Sequence, residues 1–90
     1  MEIFNPSHPG EVIKAWLIED EDGNKINTVK EVAETLGIHR TTLHRILSGA
    51  MAVSTEVAVA LESIECGDAK LWLTMQMNYD LFQYKSQEVA

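Results

Sequence analysis

Thr28-Val29-Lys30-Glu31-Val32-Ala33-Glu34-Thr35-Leu36-Gly37-Ile38-His39-Arg40-Thr41-Thr42-Leu43-His44-Arg45-Ile46-Leu47-Ser48-Gly49 is the stretch whose reading decides the fold. Thr28 and Glu31 stand at the S/T-x-x-E spacing of a capping box, in which the hydroxyl accepts an amide N–H and the carboxylate reaches back to the cap. Val29, Val32, Ala33 and Leu36 follow at i, i+3, i+4, i+7, one face of a helix. Gly37 ends it. After only Gly37-Ile38 a second helical pattern starts at His39, turns Leu43, Ile46 and Leu47 inward, and stops at Ser48-Gly49. The spacing predicts two short helices joined by a tight, glycine-containing turn.

Outward from this pair, the flanking sequence also reads as helix. A first segment is expected from Pro9 to Asp20, with proline in the opening turn and Val12, Ile13, Trp16 and Leu17 on one face; Asp22-Gly23-Asn24 breaks it. A fourth begins at Ser54 as N-cap and buries Val57, Leu61 and Ile64, with Gly67 as its punctuation. A fifth starts at Asp68 and runs through Leu71, Trp72 and Leu73 to Tyr84. No alternating β-branched run is bounded by hairpin turns, so the class is all-α: five helices in a single domain over residues 1–90, with no Pro/Gly/Ser-rich linker.

The fifth helix carries two apolar stripes, Leu71, Met75, Tyr79 and Phe82 on one, Leu73, Met77, Leu81 and Tyr84 on the other. One small core needs one stripe. The second is expected to meet an identical chain across a two-fold axis, which would set two reading helices about 34 Å apart; a deeply buried terminal helix is the alternative. Trp72 reads as core rather than as a cofactor platform.

Ninety residues, 46% hydrophobic and 23% charged, have the composition of a folded globular domain. No apolar run approaches the roughly 20 residues of a membrane helix. Met1-Glu2-Ile3-Phe4-Asn5-Pro6 has neither the basic start nor the apolar stretch of a secretory signal, and a lone Cys66 forms no internal disulfide, so a cytoplasmic location is expected. The net charge of −7 opposes nucleic-acid binding taken as a whole, but its distribution does not. Between Thr35 and Thr55 there is no Asp or Glu, while His39, Arg40, His44 and Arg45 fall in that window. The acids gather in Glu19-Asp20-Glu21-Asp22, either a solvated loop or a face for a basic partner.

Two such helices form the helix-turn-helix pattern, whose second helix enters the DNA major groove. With Leu43, Ile46 and Leu47 needed inside, Arg40, Thr41, Thr42, His44 and Arg45 are left to reach base edges. Arg grips guanine O6 and N7 with two bonds, and Thr offers a hydroxyl and a methyl. Thr28 and His39, at the helix starts, lie where phosphates meet backbone amides. Catalysis finds no support. His39 and His44 are five apart, on different faces, with no Cys or carboxylate close by for a metal. Were Gly23 the sixth residue of a calcium loop, Ile18 and Val29 would occupy its first and twelfth positions, where carboxylates are required. No catalytic residue, metal or cofactor is expected.

Three segments carry a resemblance: Asn5-Pro6-Ser7-His8-Pro9-Gly10-Glu11, the run Leu36 to Gly49, and Trp72-Leu73-Thr74-Met75-Gln76-Met77-Asn78-Tyr79-Asp80-Leu81-Phe82, the last a W-L-x-x-Q-x-x-Y-D-L pattern. On these the chain resembles the HigA-type antitoxins of the xenobiotic-response-element helix-turn-helix superfamily. The resemblance implies a five-helix, lambda-repressor-like DNA-binding domain that dimerises through its C-terminal helix. It also implies binding to a palindromic operator of its own operon and neutralisation of a small basic, mRNA-cleaving toxin of HigB type. Arg40, Thr41, Thr42, His44 and Arg45 match the reading positions. Three departures stand out: His39 where relatives have a Ser cap, Gly49-Ala50-Met51-Ala52 where they carry basic residues, and an acidic loop about four residues longer. A stand-alone regulator, or an interaction module that no longer grips DNA, is the alternative.

Overall fold

The computed structural model describes residues 6–88; Met1 to Asn5, on which the reading against a secretory signal and the head of the first motif rest, lie outside the described residues. The elements are α1 (Pro9–Ile13), which continues as a π-helical turn (Lys14–Ile18), then α2 (Val29–Leu36), α3 (Arg40–Leu47), α4 (Thr55–Ser63) and α5 (Ala69–Glu88). Among the described residues the fold is all-α, five helices in a helix-turn-helix arrangement. α1 and α2 pack on α3, while α4 lies along α5.

Local chemistry explains the helix starts. Thr28 Oγ1 accepts the Glu31 amide at 3.1 Å and the Glu31 carboxylate accepts the Thr28 amide at 3.0 Å, completing the capping box. Ser54 Oγ accepts from Val57 N–H, and Asp68 Oδ1 accepts from Leu71 N–H at 2.7 Å. Gly37, at φ 71°, supplies the left-handed residue that turns α2 into α3.

The first helix departs from expectation. It ends at Ile18, because the Glu19 N–H donates to the Lys14 carbonyl five residues back and Glu19 then extends. Glu19 pairs with Lys25 in an isolated antiparallel bridge, and Ile26 N–H donates to the Ile18 carbonyl at 2.7 Å. The Asn27 amide donates to the Leu17 carbonyl at 2.8 Å, satisfying a group the helix end leaves open. Inside this miniature hairpin Asp20 Oδ1 accepts from the Asp22 and Asn24 amides. The acidic segment is therefore a closed turn pinned to the end of the first helix.

The core gathers Ile13, Ile18, Val32, Leu36, Leu43, Ile46, Val57, Leu61 and Trp72. Two inward assignments change. Trp16 is 51% exposed and meets Trp72 edge-on with ring centroids 5.5 Å apart, and Ile18 takes the buried place. The cause is the π turn, which adds a residue to its ring and rotates the following side chains off the 3.6-residue register. On α5, Leu71 is exposed, and Trp72 and Gln76 are buried instead. The Trp72 indole N–H donates to the Cys66 carbonyl at 2.6 Å, so the larger ring fills the core with its polar edge satisfied.

Candidate nucleic-acid interface

α3 presents two unlike faces. Leu43 and Ile46 are fully buried, whereas Arg40, Thr41, His44 and Arg45 are exposed. Thr41 and Arg45 stand opposite the buried pair. Arg40 and His44 follow one edge, one helical turn apart, and the half-buried Thr42 follows the other. His39 is the N-cap residue but makes no side-chain cap hydrogen bond, which leaves the first amides of α3 without a side-chain acceptor from it. The expected reading set is thus brought onto one helix, with Thr42 turned away from its centre.

What holds α3 from behind was not anticipated from its own sequence. Gly10, in the first turn of α1, lies so close to the Ile46 carbonyl and Leu47 Cα that a Cβ would overlap them. Its helix is started by His8, whose Nδ1 accepts the Gly10 amide at 2.9 Å. The His8 ring is buried and meets Tyr79 of α5 edge-on at 4.8 Å. Burial holds its pKa below the usual imidazole range, with the Asp80 and Glu11 carboxylates pulling partly the other way. Beyond α3, buried Gln76 accepts the Val53 amide through Oε1 at 2.8 Å and donates from Nε2 to Asp80 at 2.9 Å. Tyr79, through His8, and Gln76, through Val53, therefore tie α5 to the segments before and after α3 in sequence.

The sequence window without acids does not become a surface without acids. Glu56 lines one depression with His39, Thr42 and Ser54. Glu19 lines another with Lys14, Lys25, Val29, His44 and Ser48. At the start of α2 both the hydroxyl and the amide of Thr28 are engaged by Glu31, and those hydrogen bonds keep the Glu31 carboxyl below its usual range. Lys14 and Lys25 were absent from the expected set, since nothing in their local sequence marks them.

Residues 24–64 match the helix-turn-helix family. Virulence-associated protein A′ of Dichelobacter nodosus is 37% identical over 84 residues, spanning 92% of this chain and 69% of that protein. The chain belongs to this helix-turn-helix family. A Nostoc punctiforme structure described as that of a putative antidote protein of a plasmid maintenance system aligns with a TM-score of 0.80 at 29% identity, over 94% of this chain and 88% of that one. A Pseudomonas aeruginosa protein solved with its operator DNA shares the fold at a TM-score of 0.79 and 21% identity, over 94% and 87% of the two chains. As a helix-turn-helix protein of the xenobiotic-response-element type, the chain has the architecture of a DNA-binding regulator and not of an enzyme. Cys66 suits that architecture: burial pushes its thiol pKa up, away from the reactive thiolate. No described helix is long and apolar enough to cross a membrane.

Proposed function

We propose that this protein is a sequence-specific repressor of HigA type, which binds a palindromic operator of its own operon as a homodimer and neutralises a small basic toxin of HigB type. The observation that carries the reading is the exposed quartet Arg40, Thr41, His44 and Arg45 on a helix whose back is fully buried. In this reading Arg40 and Arg45 contact guanines, Thr41 and Thr42 reach bases or phosphates, and Thr28 and His39 lie along the backbone. The likeness to an antidote protein, and to one bound to its operator, supports it.

The dimer is assigned to α5. Met77, Leu81 and Tyr84 are 53%, 47% and 65% exposed, and Leu73 is half-buried against its own core. An apolar stripe of this length on a small domain calls for a cover. Replacing Leu81 with Glu yields monomers in sedimentation and removes cooperative binding; an unchanged dimer places the interface elsewhere.

The deciding experiment is a band shift with the region upstream of the gene. The wild type retards it, and Arg40→Ala weakens binding by about 1–3 kcal/mol while relaxing preference at one base pair. If the wild type discriminates nothing, the chain is an interaction module with a retained fold. A small basic open reading frame beside the gene, and its product held by this protein on co-expression, test the antitoxin half.

A further inference from the structure

The depression beside α3, about 330 Å3, is walled by Lys14 from the π turn, Lys25 and Glu19 from the hairpin, Val29 from the start of α2, and His44 and Ser48 from the Arg40 edge of α3. The composition makes this convergence unusual. The chain has seven Lys and Arg against fourteen Asp and Glu, yet Lys14 and Lys25, eleven residues apart in sequence, line one depression beside a helix that already carries Arg40 and Arg45. The hairpin is what brings Lys25 there. Its bridge sets Glu19 and Lys25 directly opposite each other, hence on the same side of the two strands.

When the second helix of a helix-turn-helix lies in the major groove, the first crosses the sugar-phosphate backbone. A strand that passed the start of α2 and the flank of α3 would cross this depression, which Val29 lines from α2 and His44 and Ser48 from α3. At the start of α2 the Glu31 carboxylate already occupies the Thr28 amide, so a phosphate beside Thr28 is not held by that amide. The loop after α3, Gly49-Ala50-Met51-Ala52, supplies no cation. A phosphate over this depression therefore meets Lys14 and Lys25 against the single lining carboxylate, Glu19.

We propose that Lys14 and Lys25 clasp one backbone phosphate of duplex DNA at the Arg40 edge of α3. The hairpin of residues 19–25 serves as an arm that carries the second lysine to it. This rests on the DNA-binding reading above, and it assigns a contact that restores charge the α3–α4 loop lacks. Both lysines are exposed, so the contact supplies affinity without sequence preference.

The test measures binding of Lys14→Gln, Lys25→Gln, the double variant and Lys70→Gln, an exposed site on α5. The probes are the gene's own upstream duplex and a generic duplex of equal length, each titrated from 50 to 200 mM salt. Each lysine variant in the depression weakens binding to both duplexes by roughly tenfold at 0.1 M salt and lowers the salt slope by about one, the double variant by about two. Lys→Arg at either position restores both quantities, Lys70→Gln changes neither, and thermal melting stays at the wild-type value throughout. An unchanged salt slope in the double variant, with Arg40→Ala still impaired, overturns the clasp and leaves the DNA reading standing. Loss on the upstream duplex alone also overturns it, since that is base readout. A wild type that shifts neither duplex removes both.

Discussion

The two faces of α3 are built on opposite rules. The inward face is determined several times over: Leu43 and Ile46 are fully buried, Gly10 presses on the Ile46 carbonyl, and Gln76 of α5 fixes the Val53 amide just past the helix. The outward side chains of Arg40, Thr41, His44 and Arg45 are exposed. Burying one Leu or Ile side chain contributes about 1.5–3 kcal/mol, whereas an exposed polar residue changes stability by about 0.5 kcal/mol at most. A helix held from behind is free to vary in front, which is what a reading surface needs.

The comparison breaks most easily at Gly10. Ala there places a methyl group against backbone on a neighbouring helix, with no side chain free to give way, and is expected to cost about 3 kcal/mol in denaturant unfolding. Arg45→Ala measured alongside leaves the midpoint nearly unchanged. Equal midpoints for Gly10→Ala and wild type would mean that α1 lifts from α3 without loss, and the inward face would no longer count as over-determined.

Gln76→Leu is the next strongest probe. It keeps the volume but leaves the Val53 N–H buried without an acceptor, at a cost of about 1–3 kcal/mol. Faster hydrogen exchange at Val53 is expected together with the lower melting temperature. Exchange unchanged at that amide would show that the brace beyond α3 is dispensable.

The smallest effect is the pH dependence from His8. Its folded pKa lies below the ordinary value of 6.5 because the buried ring resists charging, so the unfolded chain binds this proton more readily. The stability tied to neutral His8 is complete above pH 6.5 and declines as pH falls below it. In the charged ring Nδ1 no longer accepts the Gly10 amide. His8→Asn keeps a capping acceptor that does not titrate. Unfolding measured from pH 5 to 8 should show the wild type losing more stability than the variant on the acid side; parallel curves would remove His8 from the brace.

The centre of the fold was legible because its signals are local. Thr28 and Glu31 are three residues apart, Gly37 carries its own backbone requirement, and the apolar spacing of α2 and α3 follows a regular helix. Trp16 escapes the apolar spacing because the helix it sits on is not regular: the Glu19 to Lys14 hydrogen bond shifts the register. Gln76 stood out as part of a pattern, but its partner Val53 is 23 residues away, and no spacing rule links them. The order of charges along the chain does not show that Glu19, Lys25 and Glu56 reach α3 through space. The polar residues of α3 are visible in the sequence; their electrostatic surroundings are not.

The miniature hairpin has a consequence for how the molecule is altered. Its turn is closed by its own Asp20 carboxylate and tied down through the carbonyls of Leu17 and Ile18. Glu21 and Asp22 at its tip are exposed. Such a segment is a cassette: its tip is expected to accept exchange, lengthening or a fused tag between Asp20 and Lys25, while Gly10, Ile46 and Gln76 keep the register of α3.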